Sequence, residues 1–323
     1  MSNTARGLLW LIPFVVLVAA TDVYAGFVVQ SVNPITVAAV SFTIAAVLFV
    51  GTHTLRSGFA ATMRPLRTHR RDVVMLNVMT AATWLTLLYS LVYLEPAVVS
   101  VISFAIGPAV MVLVSPLLRR GSHVLGVEVA VSAAILVLIG VLGWGSISGR
   151  SGIGALPTGD AVLGFTLGVA CGLAYAGTVI YSKRLSDGGL SPLATLSMRY
   201  FLIIAVTWVL TAFSGSPGIV EALLPGLALA LFGVALQSYL GQAGIGYVEP
   251  ITASLLDTLS PVCAFLLQFL DGRLEPSTLT LACIVAITAL VAVGVLARHR
   301  HESAAPVVPL PAPADPEALP RSA

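Results

Sequence analysis

The sequence predicts an all-α integral membrane protein of ten transmembrane helices, arranged as two inverted five-helix repeats. Three observations lead there. Apolar residues make up 58% of the chain and charged residues 9%, whereas a soluble domain carries roughly 25% charged residues. The few charges cluster between long apolar runs. The chain also says nearly the same thing twice: residues 93–96 read Tyr-Leu-Glu-Pro and residues 247–250 read Tyr-Val-Glu-Pro.

The repetition extends beyond the motif. Each copy opens an apolar run with a serine soon after the glutamate (Ser100, Ser254), a proline in mid-run (Pro108, Pro261) and an arginine at its end (Arg120, Arg273). Upstream, Tyr24-Ala25-Gly26 recurs as Tyr175-Ala176-Gly177, and Pro34 and Ser41-Phe42 recur as Pro192 and Arg199-Tyr200. Internal repeats decide the architecture before any local motif does. Two similar hydrophobic halves form the pattern of a secondary transporter whose site lies at the repeat interface.

A spanning helix needs about 20 apolar residues. Ten segments qualify: 8–29, 34–52, 73–93, 96–118, 124–144, 161–182, 192–213, 225–246, 250–270 and 278–297. The first, with Arg6 ahead of its apolar core, has the look of a signal peptide. Nine further segments make an uncleaved first helix the expectation. The first repeat takes residues 1–145, a Gly- and Ser-rich linker 146–160, and the second repeat 161–298. Residues 299–323 form a tail rich in Pro and Ala, expected to be disordered because it lacks the apolar side chains for a core.

The basic residues set the orientation. With a cytoplasmic N-terminus, the inner loops receive Arg6, Arg56, Arg64, Arg67, Arg70, Arg71, Arg119, Arg120, Lys183, Arg184, Arg298 and Arg300, and the outer loops only Arg150 and Arg273. This bias places both termini in the cytoplasm. Five helices is an odd number, so the second half enters from the opposite side and the repeats run antiparallel.

Charges inside a membrane are costly and point to function. Asp22, Arg199 and Asp257 stand in apolar segments. Arg199 follows Pro192 and Asp257 follows Pro250 at equal spacing, so both lie roughly 10 Å below the inner surface. Equal depth permits an ion pair; the alternative is an Arg199 that snorkels and an Asp257 alone in a wet cavity. Asp22, in the outer half of the first segment, has no cation at its depth. Asp22 and Asp257 are therefore the candidates for proton coupling.

Two segments carry polar stripes. Ser100, Ser103 and Gly107 share a face of the fourth, and Ser254, Asp257 and Pro261 a face of the ninth. The repeat places Ser103 opposite Asp257. The prolines at 108 and 261 are expected to kink their helices and free carbonyls, which is tolerated where backbone lines a cavity. Trp84, on a face with Asn77 and Thr80, and Tyr175 and Gln237 add groups able to orient a ligand in an apolar pocket. The substrate-binding candidates are thus Asp22, Trp84, Ser100, Ser103, Tyr175, Arg199, Gln237, Ser254 and Asp257. Packing by small and aromatic residues is the competing reading for each. Glu95 and Glu249 precede prolines and read as turn markers carrying helix N-terminal charge.

No enzyme motif is present. The stretch Gly149–Gly154 is Gly-rich but no Lys-Ser/Thr follows, so it is not a phosphate loop. Cys171, Cys263 and Cys283 lie in apolar runs without metal-ligand spacing and read as small core residues. The histidines sit in loops and tail. No cofactor and no metal are expected.

On these residues the chain resembles the drug/metabolite transporter superfamily, in its ten-helix branch with two EamA-like repeats. Residues 93–108 and 247–261 and the Arg199-Tyr200 pair carry the resemblance, which covers about residues 7–298. The family implies ten helices, inward termini and a central cavity, with export of amino acids, other metabolites or toxic compounds. Three features depart from its pattern. Ser41-Phe42 replaces the arginine-aromatic pair in the first repeat, Arg120-Gly121-Ser122 lacks the usual acidic residue, and Asp22 lies outside it. The expectation is a secondary transporter of the bacterial inner membrane, exporting small polar metabolites such as amino acids by alternating access. An uptake permease of the same fold is the alternative, and a multipass enzyme or sensor the alternative from another class. The expected partners are a small-molecule substrate, the lipid bilayer and a second copy in a homodimer; nucleic acid is not expected.

Overall fold

The computed structural model describes residues 3–118, 126–214, 218–245, 256–257 and 259–304. Ser254, the motif at 247–250, the turn at 119–122 and the tail from 305 lie outside the described residues, as does the side chain of Pro108.

The described residues form helices and turns, with no strand. In the first half, α1 spans Asn3–Val28 and α2 Pro34–Ser57. The start of α2 follows from Pro34 in its first turn and from Asn33, whose side chain accepts the Ile35 amide at 2.9 Å. Gly58, at φ 83°, ends it. Two short helices, α3 (Phe59–Met63) and α4 (Pro65–Thr68), occupy the arginine-rich connection. Then come α5 (Arg70–Tyr93), α6 (Pro96–Leu118) and α7 (Gly126–Ile147).

The second half holds α8 (Thr158–Asp187), then α9 (Pro192–Ser197) and α10 (Phe201–Phe213), which together form one broken span. The next span joins α11 (Ile219–Ala228), a π-helical stretch at Leu229–Leu236 and α12 (Gln237–Ile245). The last elements are α13 (Ser260–Leu267), a 3₁₀ turn at Gln268–Leu270, and α14 (Thr278–Ala304). The last helix thus runs beyond residue 298, into the start of the expected tail.

Among the described residues, eight helices are long and apolar enough to cross a membrane. The fourth and ninth sequence segments appear as the shorter apolar stretches Pro96–Gly107 and Ser260–Leu270. Among the described residues, eight full-length spans and these two shorter stretches thus correspond to the ten segments read from the sequence. Pro261 occupies the first turn of α13, a position where proline starts a helix without breaking one.

Successive helices alternate direction, so the two ends of the bundle differ. One end carries the start of α1, the end of α14 and the arginines at 56–71 and 184. The other carries the turns at 28–34, 93–96, 147–158 and 270–278. Leu9, Val16, Phe27, Val137, Leu224 and Val285 point outward and exposed, a surface suited to hydrocarbon. The centre is filled by Phe42, Leu88, Ile102 and Tyr200, all buried.

The most extensive helix pairing is α5 against α8, and α6 also lies along α8. Close approach explains it. Gly164, Gly168 and Gly172 recur every four residues on α8. They meet Tyr93 and Leu94, then Ser90 and Ile102, then Ile106 and the Ser103 carbonyl. Helix association in lipid rests on such small-residue contacts, because hydrocarbon offers no hydrophobic drive between helices.

Candidate functional site: a cavity beside a broken helix

A cavity of about 350 Å³ opens between α6, α8, α13 and α14, with Asp257 at its wall. Ser103, Tyr175, Asp257 and Thr288 are its polar lining; Phe104, Ile180, Ile287 and Val291 are typical of the rest. It is mostly apolar with few polar groups, as small-molecule sites are. Its lining lies in the middle of the helices and toward the end that carries the start of α1 and the end of α14.

The residues around it are held by the local packing. Gly172 brings α8 so near α6 that an added Cβ would lie 2.0 Å from Ile106 Cγ2. That closeness puts Cys171 beside Ser103, whose hydroxyl donates to its sulfur at 3.3 Å. One turn further, Tyr175 meets Phe104 edge to face, centroids 5.3 Å apart. Tyr175 lies within electrostatic range of Asp257, Arg199, Cys171 and Asp22.

Asp22 is buried, with the Ser100 side chain beside it. The Ser100 hydroxyl is also buried and finds no partner of ordinary geometry among the described residues. Neither lines the cavity. Asp257 is half-buried.

Arg199 stands at a gap in its helix. Between α9 and α10, residues 198–200 leave the α-helical ladder, freeing backbone groups in mid-span. Asn77 of α5 takes them up. Its amide nitrogen donates to the Met198 carbonyl at 2.6 Å, and its oxygen accepts the Leu202 amide at 3.1 Å. The same nitrogen also reaches the Val73 carbonyl. Broken membrane helices persist where side chains re-satisfy the backbone in this way. The break lets Arg199 Nε donate to Thr80 Oγ1 at 3.1 Å. The ion pair with Asp257 that equal depth permits is not formed: among the described residues Arg199 has no carboxylate within ion-pair distance. Equal depth was not enough, because the break turns the guanidinium onto α5.

The remaining candidates divide. Trp84 is buried edge to face on Phe42, centroids 5.1 Å apart, and packs in a cluster with Tyr200 and Phe49. Tyr200 reaches Ser238 at 3.1 Å. Gln237, where the π-helical stretch ends, holds a buried side-chain oxygen with no partner among the described residues. Ser103, Tyr175 and Asp257 line the cavity; Asp22, Trp84, Ser100, Arg199 and Gln237 do not. Sequence reasoning named Asn77 only as a neighbour of Trp84 on its helix face and missed its structural part, since nothing near 198–200 is a Gly or Pro that would announce a break.

A bundle of apolar, span-length helices around a mostly apolar cavity defines a multi-pass membrane protein. Residues 162–296 match the EamA-like transporter family. The match covers less than half of the chain, in its second half, and makes that stretch similar to an EamA-like domain. A solved crystal structure, described only as that of a protein, is similar with a TM-score of 0.61 at 19% identity, over 92% of this chain and 99% of that one. At that identity the likeness concerns the fold. No curated protein matches the chain.

Proposed function

We propose that the protein is a secondary transporter of the bacterial inner membrane that exports amino acids or related small metabolites. It would have ten helices in two inverted repeats, both termini cytoplasmic, and would work by alternating access around the cavity. The observation that carries this reading is the cavity itself: a largely apolar volume with a carboxylate, Asp257, and a phenol, Tyr175, in its lining, and with Arg199 outside the lining but within electrostatic range of that phenol. An α-amino acid presents an ammonium group for the carboxylate and a carboxylate for the guanidinium. The apolar walls favour a large aliphatic or aromatic side chain. The family match supports transport, and the charge bias of the loops supports the orientation.

Asp22 is the proposed proton carrier, with Ser100 beside it. The test uses proteoliposomes loaded with radiolabelled phenylalanine, leucine or glutamate. Efflux of the first two, driven by a pH gradient, is expected. Asp22→Asn should abolish uphill movement and leave downhill exchange intact. Uptake in place of efflux would favour the permease alternative. No movement of any amino acid would remove this substrate class.

A further inference from the structure

Glu95 has the backbone place expected of it, because its carbonyl accepts the first amides of α6, from Val98 and Val99. Its side chain does something else. The carboxylate is 1% exposed and joins three segments far apart in the chain. Oε1 accepts from the Thr280 hydroxyl of α14 at 2.6 Å. Oε2 accepts from the Gly152 amide of the 147–158 connection at 3.1 Å and from Gln268, after α13, at 3.4 Å. Gln268 in turn accepts the Ala97 amide at 3.3 Å.

The surroundings are built for this contact. An added Cβ at Gly152 would lie 2.4 Å from Glu95 Oε2 and 2.7 Å from the Glu275 carbonyl. The Glu275 amide donates to the Gly152 carbonyl at 2.9 Å, and the Ser277 hydroxyl donates to the Arg150 carbonyl. Nearby, Arg273 donates to the Gly26 carbonyl at 3.3 Å and Gln30 to the Leu91 carbonyl at 3.0 Å. The bonds of Glu95 to Thr280 and Gln268, and of Arg273 to Gly26, tie the first half to the second at one end of the bundle, while Gln30 ties α1 to α5 within the first half. The cavity lies on the other side of them, since Ser103 is two turns beyond Glu95, about 12 Å along α6.

We propose that Glu95 is the latch that closes the bundle at the end opposite the start of α1 and the end of α14. Opening that end requires Gly152, Gln268 and Thr280 to leave its carboxylate together. The latch rests on the transporter reading for its purpose, though its test needs no substrate.

The test measures the reactivity of Cys171, buried beside Ser103, in a background carrying Cys263→Ser and Cys283→Ala. A membrane-impermeant maleimide is applied separately to each face of sealed vesicles. An Ile153→Cys control identifies the face bearing the 147–158 connection. From that face, Glu95→Ala should raise the labelling rate about tenfold or more, the scale of one lost hydrogen bond. Thr280→Val should raise it less. Glu95→Gln should leave it near wild type, because its amide can donate to Thr280 while its oxygen accepts from Gly152 and Gln268. Where Glu95→Ala does not fold, Gly152→Ala, which pushes a methyl against the carboxylate, takes its place and should also raise labelling. Unchanged labelling in folded protein, or an equal rise from both faces, would overturn the latch. A failed transport assay with raised one-sided labelling would count against the substrate class alone.

Discussion

Asn77 shows what one side chain does when a helix breaks inside a membrane. The Met198 carbonyl and the Leu202 amide both depend on it, and a buried backbone group left unpaired costs about 1–3 kcal/mol. Asn77→Leu strands both groups, so it should lower stability by roughly 2–6 kcal/mol on that basis. The measurement is thermal unfolding in detergent. Asn77→Asp keeps the acceptor for Leu202 and loses the donor for Met198, and should fall between. A Tm for Asn77→Leu equal to wild type would mean that the break needs no clamp. The face bearing Asn77, Thr80 and Trp84 was readable from spacing, but its division of labour was not. Asn77 serves a backbone, Thr80 holds Arg199, and Trp84 fills space, because their partners come from α9, α10 and α2, which no local pattern relates to α5.

At the level of elements, the repeat was the clearest message in the sequence, and the contacts of its matching positions are informative. Phe42 and Tyr200 occupy corresponding places in the two halves, and their rings meet at 5.4 Å. Yet α2 runs unbroken past Ser41-Phe42, while the span of α9 and α10 breaks at Arg199-Tyr200. Absence of an arginine in the first copy, visible in the sequence, goes with absence of a break. The Gly164, Gly168, Gly172 stripe was also present in the sequence as small residues at a spacing of four, the interval that brings membrane helices close. Gly172 is the tightest of the three: a Cβ there meets Ile106 at 2.0 Å and the Ser103 carbonyl at 2.9 Å. Gly172→Val should therefore push α8 off α6, displace Ser103 from Cys171, and lower stability by about 1–3 kcal/mol through overpacking. Adding Ile106→Ala makes room for one of the two clashes and should recover part of the loss. If the double variant is no better than Gly172→Val in thermal unfolding, the approach of the two helices is not what that glycine provides.

For the whole molecule, the two ends of the bundle differ in chemistry, and pH can tell them apart. Burial pushes the Glu95 carboxyl above the usual carboxylate range; bonds from Thr280, Gly152 and Gln268 pull it back only in part. An open end would hydrate the same group and return it toward its ordinary value. The closed latch thus binds its proton more tightly than the open one, so closure is favoured at low pH and lost as pH rises through the raised value. The neutral acid fits the site, since it can donate to Thr280 while its other oxygen accepts from Gly152 and Gln268. The charged groups on the elements packed against it are Arg150 on the 147–158 connection and Asp271, Arg273 and Glu275 between α13 and α14. Asp271 is held below the ordinary carboxylate range by its bond from Arg273, so that pair stays ionised while Glu95 titrates. Arg150 lies over the Trp144 ring, 4.9 Å from its centroid, and Glu275 is exposed. The quantity to measure is the Cys171 labelling rate from the face bearing the 147–158 connection, between about pH 5 and pH 8, divided by the rate in Glu95→Gln. That ratio removes the titration of the thiol itself. It should climb with pH, with the wild type opening more readily as Glu95 ionises, and it should stay flat when the reagent is applied to the opposite face. A ratio that falls as pH rises would reverse the linkage and make the ionised carboxylate, with its three donors, the closed form of the latch.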